Sequence, residues 1–300
     1  MNPATPSLPM ELSDVIAHWK EHGFVILPSY VPLNELVPAQ REIGMLFPTA
    51  QGFHDGIDEP RNAKYRVDEF AGITNFPFAS VELSLLAVHP RVVSVAETLL
   101  GTEEIRLYSA EAWAKFTGAA DYDQPLHRDY LNHTVLVPTE DPAFGQVELF
   151  LYLSDVPEDL GPPHFVSKTR TQGAAALPNW LSRDERPVWY ATEVSGADPA
   201  GTVVAYSTAT FHRGTALTRP RGARYTMHVS YRAAAAEWAS RNAWANQSHE
   251  PAWYAFVERA SVRQLLLFGF PPPGHPFWTE ETLAGMAVRY PGLDLAPFRG

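Results

Sequence analysis

Between Glu104 and Arg232 the chain changes its hydrophobic period to two, and no other feature restricts the possible folds as much. Residues 105–116, 126–130, 146–154, 164–167, 187–194, 202–207 and 224–232 read as at least seven short strands, separated by Gly, Pro, Asp and Asn. Before this block the period is helical. Leu12, Val15, Ile16 and Trp19 share one face of a helix over residues 11–22, which Gly23 closes. A short strand is expected over 24–27 and helices over 32–47, 80–88 and 90–100, the last opened by Pro90 and stopped by Gly101. After Arg232 the pattern turns helical again over 233–245, 251–260, 262–268 and 279–289. Many short strands, with helices gathered at the ends and no βαβ alternation, predict a mainly β protein with flanking α. Its core would be a double-stranded β-helix, a cupin-like jelly roll. One domain is expected over residues 1–300: a helical part to 103, the jelly roll over 104–232, and C-terminal helices from 233.

Residues 48–78 follow neither period. Glycines 52, 56 and 72, mixed charge, and the aromatic side chains of Phe53, Tyr65, Phe70, Phe76 and Phe78 suggest a long loop. Such a loop is either a lid over a binding site or an ordered surface excursion.

Composition works here by exclusion. With no cysteine, disulfides, thiolate metal sites and cysteine nucleophiles are all ruled out. A formal net charge of −11 argues against a nucleic-acid or anionic-membrane partner, since both attract basic surfaces. The first residues lack the basic start and apolar stretch of a signal peptide, and no apolar run is read as long enough to span a bilayer. The cytoplasm is therefore the expected compartment and a small molecule the expected partner, while the sequence carries no reading of oligomeric state.

The chemistry concentrates in Gln124-Pro-Leu-His-Arg-Asp-Tyr130. If this stretch is a strand, His127 and Asp129 project from the same face, because successive side chains alternate. An imidazole and a carboxylate are two corners of the two-His-one-carboxylate triad that holds non-haem Fe(II) in oxygenases. A second segment offers the third corner: the β-branched run from Gly201 leads into His212-Arg-Gly214, a strand ending in a turn with a histidine at its mouth. His133 is the competing ligand, four residues past Asp129. On residues 224–232, Tyr225, Met227, Val229 and Tyr231 alternate with Arg224, Thr226, His228 and Ser230, so one face needs a wet or ligand-filled cavity. A guanidinium there can grip a carboxylate through two hydrogen bonds, with Arg219 and Arg221 as alternatives in the preceding turn. His228 is expected to hydrogen-bond within the cavity, and His54, His89, His164, His249 and His275 to be structural or superficial.

Taken in order, His127-Arg-Asp129, His212 and Arg224 resemble the phytanoyl-CoA dioxygenase family of Fe(II)/2-oxoglutarate oxygenases. So do His18-Trp-Lys-Glu-His-Gly-Phe-Val-Ile-Leu-Pro28 and the stretch from His89-Pro-Arg to Leu100-Gly101. The resemblance covers roughly residues 10 to 232. It departs at residues 161–169, which match the family's Gly-Pro-Leu turn loosely, and at Gly214, where many members carry a Ser or Thr touching the co-substrate.

The resemblance implies that Fe(II) is held by His127, Asp129 and His212. It also implies that 2-oxoglutarate binds with its far carboxylate on Arg224, beside Lys115, Phe150 and Gly214. With O2, the co-substrate would be converted to succinate and CO2 while a small metabolite or natural-product scaffold is hydroxylated. Tyr65, Arg66, Trp113, Tyr130 and Asn132 are candidate substrate contacts. Two other classes compete: a cupin-type metal enzyme without 2-oxoglutarate, whose ligand set is richer in histidine, and an inactive jelly-roll binding protein. An iron-dependent halogenase needs a small residue in place of the carboxylate, which Asp129 denies it.

Overall fold

The computed structural model describes residues 12–119, 123–129, 141, 144–175, 178–236, 244 and 248–299. Two antiparallel sheets face each other. The larger has the order β1-β9-β5-β11-β3-β2, with β1 at Phe24–Leu27, β2 at Ile73–Asn75, β3 at Ile105–Phe116, β5 at Gln146–Tyr152, β9 at Val203–Ser207 and β11 at Ala223–Ala233. The smaller runs β7-β4-β10-β6-β8, with β4 at Leu126–His127, β6 at Pro163–Phe165, β7 at Trp180–Leu181, β8 at Val194–Ser195 and β10 at His212–Gly214. This is the jelly roll the period of two predicts.

The alternation along the larger sheet separates its two jobs. Ala110, Ala112, Ala114 and Phe116 of β3, Val147, Leu149 and Leu151 of β5, and Met227, Val229 and Tyr231 of β11 join one buried apolar cluster. The cluster also takes in α1 (Leu12–His22), α2 (Leu33–Leu46), α5 (Val81–Ala87) and α6 (Pro90–Leu100), together with the C-terminal helices Pro251–Arg259 and Val262–Leu266. Burying each such side chain contributes roughly 1.5–3 kcal/mol, so the helical face supplies most of the sheet's stability. The opposite face, towards the smaller sheet, can then carry polar side chains. At its closed end Phe24, Tyr152, Val204 and Tyr206 pack with Val156 and with Phe165 of the smaller sheet.

Helix signals worked where chain chemistry is local. Gly101 ends α6 at φ +67°, and the Ser80 hydroxyl accepts from the Leu83 N–H to cap α5. Together, Val81–Leu100 are long and apolar enough to cross a membrane, with mean hydropathy 1.4, which corrects the expectation of no such run. The helix is interrupted between Ala87 and Pro90, however, and 61% of the most apolar window is buried in the protein.

Other expectations need correction. Residues 48–78 are not an unpatterned loop: they hold the short helical turns Ala50–His54 (α3), Glu59–Asn62 (α4), Ala63–Arg66 and Glu69–Gly72, then β2. Residues 187–194 are not one strand. Pro187 starts a helical turn, Pro187–Tyr190, which buries Tyr190 and leaves Val188 exposed, and β8 begins only at Val194. The expected helix over 233–245 does not begin at Ala233, which ends β11. The following turn lies at residues 234–235, and most of the rest falls outside the described residues.

Candidate metal centre

His127 and His212 are direct partners in the β4–β10 register, with ring centroids 4.5 Å apart. Strand β4 stops at His127, so Asp129 is carried by the turn beyond it and not by a strand face, contrary to the alternation argument. The turn still delivers it. Asp129 Oδ1 lies 3.7 Å from His127 Nε2 and Oδ2 lies 3.3 Å from His212 Nε2. The ligating atoms of the three lie within 4.8 Å of one another, and all three side chains are buried. Among the described residues no other group of three or more His, Cys, Asp or Glu converges in this way. Tyr130, Asn132 and His133 lie outside the described residues.

Both imidazoles are oriented by their own backbone. His127 Nδ1 is 3.0 Å from the Pro125 carbonyl and His212 Nδ1 is 3.1 Å from that of Thr210. A carbonyl only accepts, so each Nδ1 carries the proton and each Nε2 presents a lone pair to the common point. Trp180 stacks on His127 at 4.2 Å. Next to His212, Arg213 is buried against Glu193, with N–O distances of 2.7 and 3.0 Å, and Asp123 is a further partner. Burial pushes the Glu193 carboxyl up, but hydrogen bonds from His164 and Arg213 outweigh it and hold the group below its ordinary range.

A buried polar chain runs behind the carboxylate. The Tyr206 hydroxyl is 2.7 Å from Asp129 Oδ2 and 3.0 Å from His228 Nε2. His228 Nε2 is in turn 3.3 Å from Glu148 Oε2, and Ser230 also donates to that carboxylate. Burial, reinforced by the neighbouring Asp129 charge, raises the Tyr206 hydroxyl well above its ordinary range, so it stays protonated.

These groups open on a cavity of about 370 Å³. At one end Arg224 and Lys115 stand opposite each other in the β11–β3 register, both buried. Phe150, Thr226, Gln124 and Gly214 line the same cavity. Gly214 has a local reason to be glycine: a Cβ there would meet Gln124 Oε1 at 2.8 Å, the atom that accepts its own N–H at 2.7 Å. Gln124 therefore occupies space that a larger residue at 214 would claim.

Trp113, Phe70, Ile73 and Trp180 form the remaining wall, with Phe70 and Trp180 about half exposed. Tyr65 and Arg66 do not line the cavity, which corrects their place among the candidate contacts. Tyr65 is buried edge-on to Phe116 at 5.1 Å, and Arg66 pairs with Glu59 on the surface. Arg219 and Arg221 are also elsewhere, paired with Asp159 and Asp55. Sequence reasoning did not single out Tyr206 or Trp180, and it named Gln124 only as the start of the motif and Phe70 only among the aromatics of residues 48–78. Their roles depend on contacts between distant segments.

A family model described as phytanoyl-CoA dioxygenase (PhyH) matches residues 19–223. Many solved structures share the fold, among them the three that follow. The epimerase SnoN, solved with Fe3+, α-ketoglutarate and nogalamycin RO, is 20% identical with a TM-score of 0.54, covering 74% of this chain and 83% of its own. The carbocyclase SnoK from nogalamycin biosynthesis is 19% identical with a TM-score of 0.53, covering 77% and 87%. HygX from Streptomyces hygroscopicus, solved with nickel and 2-oxoglutarate, is 18% identical with a TM-score of 0.53, covering 76% and 88%. Among curated proteins, none matches.

Proposed function

This chain belongs to the phytanoyl-CoA dioxygenase family, and on that premise we propose that it hydroxylates a small ring-bearing metabolite or natural-product scaffold at the expense of 2-oxoglutarate. The observation that carries the reading is the convergence of His127, Asp129 and His212 in the cavity that also holds Arg224 and Lys115. Two neutral imidazoles and one carboxylate suit Fe(II) in hardness and number, and leave three coordination positions for other ligands. His228, the third histidine lining the cavity, is hydrogen-bonded to Tyr206 and does not converge with His127, Asp129 and His212, which favours this triad over a histidine-rich cupin set.

Fe(II) with 2-oxoglutarate and O2, when bound, supplies the oxidant that removes hydrogen from a C–H bond while 2-oxoglutarate becomes succinate and CO2. The protein's own groups bind and orient. His127 and His212 present Nε2 lone pairs and Asp129 a carboxylate to the metal. Arg224 and Lys115 put two cations at one end of the cavity, suited to the far carboxylate of a dicarboxylate. The burial of these groups keeps water from the reacting centre.

The substrate reading rests on the aromatic wall. Phe70 is 48% and Trp180 is 49% exposed, and such surfaces gain most from a flat apolar partner. Hydroxylation is chosen over the epimerisation of one structural neighbour because a redox-neutral epimerisation needs a reductant besides 2-oxoglutarate and O2; carbocyclisation is a two-electron oxidation like hydroxylation, and is told apart by its loss of two hydrogens. We place the protein in the cytoplasm, in keeping with a ferrous centre, with neither nucleic acid nor membrane as partner.

The test begins with single Ala variants of His127, Asp129 and His212, each titrated with Ni(II) and then assayed with Fe(II) and 2-oxoglutarate. Each should lose metal binding and succinate formation. If His212→Ala keeps both, the third ligand is elsewhere. Product mass then decides the outcome: hydroxylation adds one oxygen atom, whereas epimerisation adds nothing.

A further inference from the structure

We infer that Tyr206 is a positioning residue for the metal carboxylate, engaging one oxygen of Asp129 so that Asp129 counts as a single ligand. This rests on the Fe(II)/2-oxoglutarate reading above and deepens it. The need for such a residue follows from how the three ligands are mounted. His127 and His212 are opposite residues in paired strands, and each ring is tied to its own backbone. Asp129 sits in a turn past the end of β4, so the sheet does not fix its side chain.

Tyr206 supplies a constraint from a rigid element. It lies on β9, opposite Glu148 of β5, and its hydroxyl is 2.7 Å from Asp129 Oδ2. An ionised carboxylate can only accept, so the single phenolic hydrogen goes to Asp129. The Tyr206 oxygen must then accept from His228 Nε2–H, 3.0 Å away, which fixes the His228 tautomer. Glu148, fully buried and 3.3 Å from that same nitrogen, shares its one hydrogen with the Tyr206 oxygen, and an ionised acceptor there keeps Nε2 the protonated nitrogen. The rings are stacked as well: Phe150 lies 5.5 Å from Tyr206 and 4.9 Å from His228, at interplanar angles of 17° and 22°. The hydroxyl is therefore aimed at the carboxylate by its neighbours on β5 and β11.

The chemical consequence is a matter of coordination number. A facial triad leaves three positions, of which the keto acid end of 2-oxoglutarate needs two and O2 one. A carboxylate free to bind through both oxygens would take one of them. Tyr206 prevents this by occupying Oδ2, so its removal should weaken co-substrate binding more than metal binding.

The experiment compares Tyr206→Phe, His228→Gln and His228→Leu with the parent protein. Calorimetry reads the affinity for Ni(II) and then the affinity of the Ni(II)-loaded protein for 2-oxoglutarate, and the melting of the metal-free proteins is followed in parallel. Tyr206→Phe should keep one metal per chain with Ni(II) affinity within about tenfold, while 2-oxoglutarate affinity falls by more, about ten- to a hundredfold, the change that corresponds to one lost hydrogen bond to a charged group. His228→Gln, which keeps an N–H in place, should retain most of the parent's 2-oxoglutarate affinity, and His228→Leu should follow Tyr206→Phe. Equal losses of metal and co-substrate in step with a lower melting point would mean a merely structural role and overturn the inference, as would parent-like 2-oxoglutarate binding by Tyr206→Phe. If Tyr206→Phe does not fold, the His228 pair decides alone. A parent protein that binds neither Ni(II) nor 2-oxoglutarate defeats the underlying reading instead.

Discussion

At the scale of single residues, Arg224 offers the cleanest separation of roles. A charge-assisted hydrogen bond contributes roughly 1.5–3 kcal/mol, so Arg224→Ala should weaken 2-oxoglutarate binding by about ten- to a hundredfold. Calorimetry on the Ni(II)-loaded protein reads this. Metal affinity should hardly move, because Arg224 is not among the converging ligand atoms. Arg224 was legible in sequence because it begins an alternating strand whose other face is wholly apolar. His127, Asp129 and His212 were legible as residue types at suggestive places, although the strand argument for Asp129 was wrong in its geometry. Tyr206 was not legible. Its partner Asp129 is 77 residues away in the chain, and a tyrosine inside an apolar run reads as core packing.

At the scale of elements, two glycines predict opposite kinds of damage. A Cβ on Gly72 would meet the Ala114 carbonyl oxygen at 2.0 Å, and backbone of a central strand cannot move aside. Gly72→Ala should therefore cost about 1–3 kcal/mol and lower the melting temperature by several degrees, pulling β2 away from β3 and disturbing Phe70. At Gly214 the obstacle is the end of the Gln124 side chain, which can swing out. Gly214→Ala should lose about 1 kcal/mol with the Gln124 hydrogen bond, while changing 2-oxoglutarate affinity, since both residues line the cavity. Paired melting curves and titrations test both expectations. Long elements such as β3, β11 and α6 could be read from their own periodicity. The short strands β2, β7 and β10 could not, because two or three residues carry no period and their pairing is decided by distant partners. The apolar run after Pro187 misled for a related reason: Val188, Trp189 and Tyr190 look like strand residues, but Pro187 is placed to start a helical turn.

At the scale of the whole molecule, residues 48–78 illustrate how contacts decide motion. Phe53 stacks on Phe116 at 4.3 Å, Phe76 and Phe78 are fully buried, and His54 reaches the Gly222 carbonyl at 3.0 Å. Hydrogen exchange should therefore find amides of 50–66 protected before any ligand arrives, and those around Phe70 slowed when substrate joins metal and 2-oxoglutarate. Uniformly fast exchange over 50–66 would make the whole stretch a lid. The joint between β4 and β10 leads to a last consequence. That joint is one ladder pair, His127 opposite His212, with two hydrogen bonds between Gln124 and Gly214 beside it, in a sheet whose strands are two or three residues long. A metal held there is a rivet between segments far apart in the chain, and cross-linking so long a loop is worth ~4 kcal/mol in the chain-entropy view. Without it the smaller sheet should open first, leaving the helix-backed sheet closed, and proteases should find the gap. Iron shortage would then reduce the quantity of this protein in the cell, by clearance of the loosened chain, as well as silencing each copy.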